Sequence, residues 1–331
     1  MTQVAQGLDS RLEQYRVELT GYCYRMLGSG FEAEDATQET LVRAWRGFDG
    51  FEGRSSLRAW LYRIATNICL DMLKSGQRRA MPMDTGPAAS GDAVLPDAQP
   101  GQWLEPVPDH LVLPAGDPAA TVVARESIRL AFVAALQHLP PQQRAVLILR
   151  DVLAWRAAEV AELLDTTVTS VNSTLQRARA TLAKRDTTDG EPLHPGDAEQ
   201  RELLDRYVAA FERYDMSQLV SLLHDDAKFS MPPLPLWLEG RDDILRFLEK
   251  GGCLCPRCAA GDTTGCSTQR LLPTMANGLP AFAVFRANGP GGTWAPAGVE
   301  VIGIRDGAVI SMHTFLDHRL PALFGCSPPD A

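Results

Sequence analysis

Residues 155–185 read WRAAEVAELLDTTVTSVNSTLQRARATLAKR, and this stretch decides the fold of the middle of the chain. Its periodicity predicts a short helix over Ala157–Leu164, a tight turn at Asp165-Thr166-Thr167 and a longer helix from about Val168. Val168, Val171, Leu175, Ala178 and Leu182 recur at helical spacing and are expected in the core. The opposite face then carries Thr169, Ser170, Asn172, Ser173, Gln176, Arg177 and Arg179. Two helices joined by so tight a turn form a helix-turn-helix. Short polar side chains at the start of its second helix can reach base edges, and the arginines, with Lys184 and Arg185, can neutralise phosphates. A merely solvated helix face is the plainer alternative.

Working outward, a helix over about 124–138 ends before Pro140-Pro141, and PQQRAVLILRDVL continues the helical pattern. Upstream, residues 11–79 read as wholly helical. LEQYRVELTGYCYRMLG (12–28) places apolar residues at three- and four-residue steps, and Gly28 and Gly30 end that helix. FEAEDATQETLVRAWRGF (31–48) opens with an acid-rich turn suited to a helix N-terminus. Ser55 or Ser56 caps the helix SLRAWLYRIATNICLDMLKSGQRR. That helix interleaves Trp60 and Tyr62 with Arg58, Arg63, Lys74, Arg78 and Arg79, which suits single-stranded DNA as well as packing in a bundle.

Between these helical segments, residues 80–123 are rich in Pro and Gly and contain no Lys or Arg. They read as an acidic linker, and DTTDGEPLHPGDA (186–198) as a second. The net charge of −9 hides this pattern: 124–185 is +4, the two linkers are −6 and −4, and 199–331 is −4. An average acidic charge therefore does not exclude nucleic acid. From residue 199 the pattern changes. QRELLDRYVAAFERYDMSQLVSLLHDD (200–226) is an amphipathic helix, RDDILRFLEK (241–250) is another, and KFSMPP, PAFAVFRAN and GVEVIGIRDGAVISMHTFLD read as strands of an antiparallel sheet with a hairpin at Arg305-Asp306-Gly307.

With 331 residues, 45% hydrophobic and 22% charged, the chain can fill several cores and is not disordered throughout. No run approaches about 18 apolar residues, and MTQVAQGLDSRLEQYR lacks the plan of a secretory signal, so a cytoplasmic protein without membrane attachment is expected. GGCLCPRCAAGDTTGC holds Cys253, Cys255, Cys258 and Cys266, four thiols that can surround a tetrahedral zinc ion; a reversible disulfide or no special role are the alternatives.

GSGFEAEDATQETLVRAWRGF (28–48) and FEGRSSLRAWLYRIATNICLDMLKSGQRR (51–79) together resemble the second region of extracytoplasmic-function (ECF) RNA polymerase sigma factors of the sigma-70 type. LQHLPPQQRAVLILRDVLAWRAAEVAELLDTTVTSVNSTLQRARATL (136–182) resembles their fourth region, in the right order. FSMPPLPLWLEGRDDILRFL (229–248) resembles the SnoaL-like, NTF2-type cone domain fused to some of them. The resemblance implies two all-α domains, 8–79 and 124–185, joined by the flexible linker 80–123. An α+β cone domain over 199–331 follows the spacer 186–198.

It also implies roles. Asp35, Gln38, Glu39, Leu41 and Trp45 lie where the family docks on the β′ clamp helices of core polymerase, whose β subunit is a further partner. Asn67, with Lys74, Arg78 and Arg79, lies where the family reads an extruded base of the −10 element. The helix from Val168 would read the −35 element as duplex. The acidic linker would thread toward the RNA exit path, and its 44 residues span at most roughly 150 Å. Such a protein is not an enzyme and requires no cofactor. An anti-sigma protein or a small-molecule ligand is a further expected partner. Two other readings remain: a one-component helix-turn-helix regulator with a ligand-sensing domain, and a SnoaL-type isomerase or cyclase.

Overall fold

The computed structural model describes residues 3–53, 55–76, 78–99, 103–114, 124–184, 197–250, 269–287 and 293–329. They divide into two compact units: Met1–Arg79 with Val107–Thr188, and Ala80–Pro106 with Asp189–Ala331.

The first unit is helical. Helices α1 (Gln3–Glu13), α2 (Arg16–Leu27), α3 (Gly30–Gly47) and α4 (Leu57–Ser75) precede a short α5 (Asp109–Val112). A stretch over 124–128 (α6), α7 (Leu130–Gln137) and α8 (Pro141–Leu147) follow, with a π-helical turn at Ile148–Val152. Helices α9 (Ala157–Leu163) and α10 (Val168–Leu182) complete the unit. The ends are set by local chemistry. Gly28 adopts the left-handed conformation (φ 74°) and donates to the Tyr24 carbonyl, ending α2. Ser29, Ser56 and Thr167 cap α3, α4 and α10 by accepting from the backbone N–H of Glu32, Ala59 and Ser170.

The helix expected over 124–138 is divided at Arg129, whose backbone is extended (ψ 143°). The reason is tertiary. Arg25 of α2 is buried and donates to the Ser127 carbonyl at 3.2 Å and the Ser127 hydroxyl at 2.6 Å. A continuous helix would commit that carbonyl to its own backbone. Arg144 of α8, also buried, donates to the carbonyl of Met26 in α2, to Gln137 Oε1 at 2.6 Å and to the carbonyls of Gln137 and Leu139, both at 3.2 Å. Burial lowers both guanidinium groups to about 10, so they stay charged at neutral pH. The early and late helices therefore share one core. Tyr62 of α4 meets Tyr22 at 5.1 Å and Trp155 at 5.0 Å, while the Arg58 guanidinium lies over the Tyr62 and Trp155 rings.

The second unit is α+β. Helices α11 (Ala198–Glu212) and α12 (Met216–Ser221) lead into β1 (Leu223–Ser230), β2 (Trp237–Glu239), α13 (Arg241–Glu249), β3 (Gln269–Ala276), β4 (Leu279–Ala287), β5 (Trp294–Arg305) and β6 (Ala308–Phe315). Among the described residues these strands form one sheet in the order β2-β1-β6-β5-β4-β3. It is mixed: β1 runs parallel to β6 and the other pairs are antiparallel. The long amphipathic helix expected to reach residue 226 stops sooner, because Leu223 already pairs with Val309. The sheet bulges where β4 passes Gly298. A Cβ there would come within 2.0 Å of the Phe315 carbonyl oxygen, so only glycine allows the close approach.

Residues 80–106 belong to this second unit rather than to a free tether. Trp103 and Leu104 are buried, and Leu104 N–H donates to the Ala80 carbonyl at 2.9 Å. Ala89 N–H donates to the Trp237 carbonyl (2.8 Å), Gln99 N–H to the Pro233 carbonyl (2.8 Å), and Trp237 Nε1 donates to the Gly86 carbonyl (2.9 Å). Gly91 N–H donates to Asp243 (2.8 Å), and Asp92 pairs with Lys250. Proline and glycine prevent a helix, but they leave an extended strap whose carbonyls and acids find partners on the domain.

Replacing Arg144 by methionine leaves three carbonyls of the helical unit without their donor. Chemical denaturation of this variant is expected to show a loss of about 3 kcal/mol, and a loss within error would remove Arg144 as a tie between the helices. Trp103→Ala, by emptying a buried site, is expected to cost the second unit about 3 kcal/mol and to open 80–106 to limited proteolysis. A strap that is cut equally fast in the native chain would contradict its docking.

Candidate nucleic-acid interface

Helix α10 presents the expected surface. Val171, Leu175 and Ala178 are buried, and Thr169, Ser170, Asn172, Ser173, Gln176, Arg177 and Arg179 are all exposed. Val168 departs from expectation: it is 43% exposed, because it is the first residue after the Thr167 cap and lies beyond the core contacts of its helix. The turn is tight because Asp165 adopts a left-handed backbone (φ 50°). Arg177 donates to Thr174 Oγ1 at 3.2 Å. Arg179 makes a two-pronged pair with Asp151 (2.6 and 2.8 Å), which raises its pKa further and holds its fork at the edge of the exposed face.

On α4, Asn67 is exposed one turn after Arg63. Lys74 is exposed and paired with Asp71 at 2.8 Å, a bond that lowers the Asp71 pKa. Arg78 is exposed and meets His138 Nε2 at 2.8 Å. Arg79 differs from the other three: its side chain is only 12% exposed and is held by Glu32 at 2.7 Å.

On α3, Asp35, Gln38, Glu39 and Trp45 form an exposed stripe, with Trp45 50% exposed. Leu41 does not join it. It is 7% exposed, since its position on the helix turns it toward the bundle core along with Ala33, Ala36 and Ala44. Glu39 is paired with Arg43 at 2.6 Å, and Gln38 accepts from Arg16 at 3.2 Å.

The structure also brings two of these surfaces together. Asn67 and Arg63 of α4 line one polar cleft with Gln142 of α8, Glu162 of α9 and Ser170 of α10; its atom-free space is about 1260 Å³. Arg63 donates to the Glu162 carbonyl across it at 2.9 Å. Gln142 and Glu162 carried no signal in the sequence, because their part in the cleft depends on packing between segments far apart in the chain.

The four clustered cysteines, 253, 255, 258 and 266, lie outside the described residues, as does Arg185. Among the described residues no group of His, Cys, Asp and Glu side chains is arranged to hold a metal ion, and no helix is long and apolar enough to cross a membrane. In the second unit, His313 bonds Ser230 Oγ at 2.8 Å, and burial lowers its pKa to about 4, with Lys228 adding to the effect. Asp317 is bound instead by Arg319 at 2.6 Å, so the two do not form an acid–base pair.

Comparison with known proteins agrees with this division. The sequence pattern of Sigma-70 region 2 matches residues 12–79, that of Sigma-70 region 4 matches 129–182, and that of the SnoaL-like domain matches 204–312. The ECF RNA polymerase sigma factor SigG of Mycobacterium tuberculosis is 45% identical over 315 residues, covering 95% of this chain and 82% of SigG. SigJ of the same organism is 31% identical, covering 92% of this chain and 89% of SigJ. The crystal structure of M. tuberculosis SigJ superimposes with a TM-score of 0.56 at 26% identity, over 97% of this chain and 99% of that one. With two helical promoter-factor regions in order, a SnoaL-like domain behind them and such similarity along nearly its whole length, the chain belongs to the ECF RNA polymerase sigma factors.

Proposed function

We propose that this sigma factor docks on core RNA polymerase through the exposed stripe Asp35, Gln38, Glu39 and Trp45. It captures the opened −10 element with Asn67, Lys74 and Arg78, and it reads the −35 duplex with the exposed face of α10. The observation that carries this reading is that face: seven polar residues point outward over the buried Val171, Leu175 and Ala178. Leu41 and Arg79 act from beneath, as packing residues that orient α3 and the end of α4. The site of action is the cytoplasm, where the polymerase works.

The shared cleft adds a requirement. Asn67 and Ser170 line one space, which places the two proposed reading surfaces side by side while it stays closed. The helical unit opens when polymerase and promoter bind, and their differential affinity for the open state supplies the free energy. The strap 80–106 is docked on the SnoaL-like unit. That unit modulates activity by competing with the polymerase channel for this acidic segment.

Trp45→Ala removes an exposed ring and is expected to weaken binding to core polymerase by about tenfold without changing the melting temperature. Leu41→Ala is expected to lower the melting temperature instead. Equal polymerase affinity for native protein and Trp45→Ala would sink the docking assignment. For the opening step, a photo-crosslinking benzoylphenylalanine in place of Gln142 is expected to link internally to α4 or α9 in the free chain. It should lose that link in the complex with core polymerase and promoter DNA, as mass spectrometry of digests would read. Persistence of the internal link in a transcribing complex would contradict opening.

A further inference from the structure

The exposed face of α10 is not uniform. Asn172, Gln176 and Arg179 follow one another at steps of four and three, so they stand in one line along the helix. Arg177 falls on another line, with Ser170 and Thr174, which border the cleft, and it donates to the neutral Thr174 Oγ1. Arg179 is therefore the cation aligned with the two amide side chains.

Its partner, Asp151, comes from outside α10. Asp151 lies in the π-helical turn Ile148–Val152, closed by a bond from Leu153 N–H to the Ile148 carbonyl at 2.9 Å. Trp155 N–H donates to the Leu149 carbonyl, also at 2.9 Å, and Ile148 and Leu149 are buried. The backbone that carries Asp151 is thus fixed on both sides, and π-turns are frequent at functional sites.

The pair engages the side edge of the guanidinium: Nε donates to Oδ2 at 2.8 Å and Nη2 to Oδ1 at 2.6 Å. Of the five N–H donors of an arginine, both on Nη1 and one on Nη2 are left over. The end edge, Nη1 with Nη2, can still make a second two-pronged pair. Two groups of a nucleic acid accept such a pair: a phosphate, and the O6/N7 edge of guanine. The charges decide between them. Asp151 offsets the charge of Arg179, so the pair as a whole gains little from a phosphate or from the counterions a phosphate would release. What the pair keeps is direction, because a fork already held loses less freedom when it bonds. The Arg179 side chain is 61% exposed and that of Asp151 29%, so the cation is the outer member.

Resting on the assignment of α10 to the −35 duplex, we infer that Asp151 is a positioning residue for promoter recognition. It holds Arg179 so that the end edge of the guanidinium pairs with O6 and N7 of one guanine in the major groove. Asp151 touches no base; it acts through Arg179.

The test uses the full chain bound to core polymerase and a promoter duplex library randomised across the −35 region, with the bound DNA sequenced at two salt concentrations. The native complex is expected to prefer guanine at one position by about tenfold. Asp151→Asn keeps the shape but cannot accept both bonds. It is expected to erase most of that preference, to leave the other positions unchanged, and to steepen the salt dependence of binding by about one charge. Arg179→Lys keeps the charge without the fork and is expected to lose the same preference. As an exposed change it carries the test should Asp151→Asn fail to fold. The two substitutions together are expected to lose no more than Arg179→Lys alone. A mere brace of the fold would weaken all sequences equally; that result, with base preference unchanged in Asp151→Asn, overturns the proposal. So does an unchanged preference in Arg179→Lys, which would make Arg179 a phosphate clamp. A −35 preference untouched by Asn172→Ala and Gln176→Ala as well would remove α10 from the duplex, and the proposal with it. If those two variants alter the preference and Asp151→Asn does not, the proposal alone fails.

Discussion

The helical unit depends on two guanidinium groups placed where helices end. Arg144 reaches the carbonyls of Met26, in the last turn of α2, and of Gln137 and Leu139, at and beyond the end of α7. Arg25 takes the Ser127 carbonyl at the end of α6. Helix C-termini carry unpaired carbonyls and partial negative charge, so a buried cation there gains hydrogen bonds and a favourable field at once. No carboxylate is needed to offset the burial of either charge. The consequence is that residues over a hundred positions apart, on either side of the first linker, are tied into one core.

This tie bears directly on promoter recognition. The surface proposed for the −10 strand and the helix proposed for the −35 groove are held around one cleft, with Arg63 bridging to the Glu162 carbonyl. Across the cleft itself Arg63 reaches the Glu162 carbonyl and, at 3.9 Å, its carboxylate, beside the denser packing of Tyr62, Trp155 and Arg58. A unit built this way can rest closed and still be opened by a partner that binds the separated surfaces more tightly. The polar groups lining the cleft regain water on opening, so the cost of separation is set by the buried aromatic and arginine contacts that hold the helices together.

The second unit shows how composition misleads about order. A segment with no basic residue and many prolines satisfies the usual description of a tether, and its chemistry is indeed unsuited to a helix. Yet backbone carbonyls and N–H groups in an extended chain are as available for pairing as those in a strand. The SnoaL-like unit supplies the partners through Pro233, Trp237, Asp243 and Lys250.

Most helices of the first unit, the cap at Ser56, the tight turn at Asp165 and the outward face of α10 were legible in the amino-acid order. Each of these depends on residues within a turn or two of one another, and the resemblance of two long stretches to sigma regions completed the reading. Four features were not legible: the turning of Leu41 and Arg79 inward, the break at Arg129, the parallel pairing of β1 with β6, and the docking of residues 80–106. Each of them arises between residues distant in the chain, where periodicity carries no information. Local sequence determines which element forms and which face is apolar; which distant carbonyl, ring or charge it meets is decided only when the elements pack.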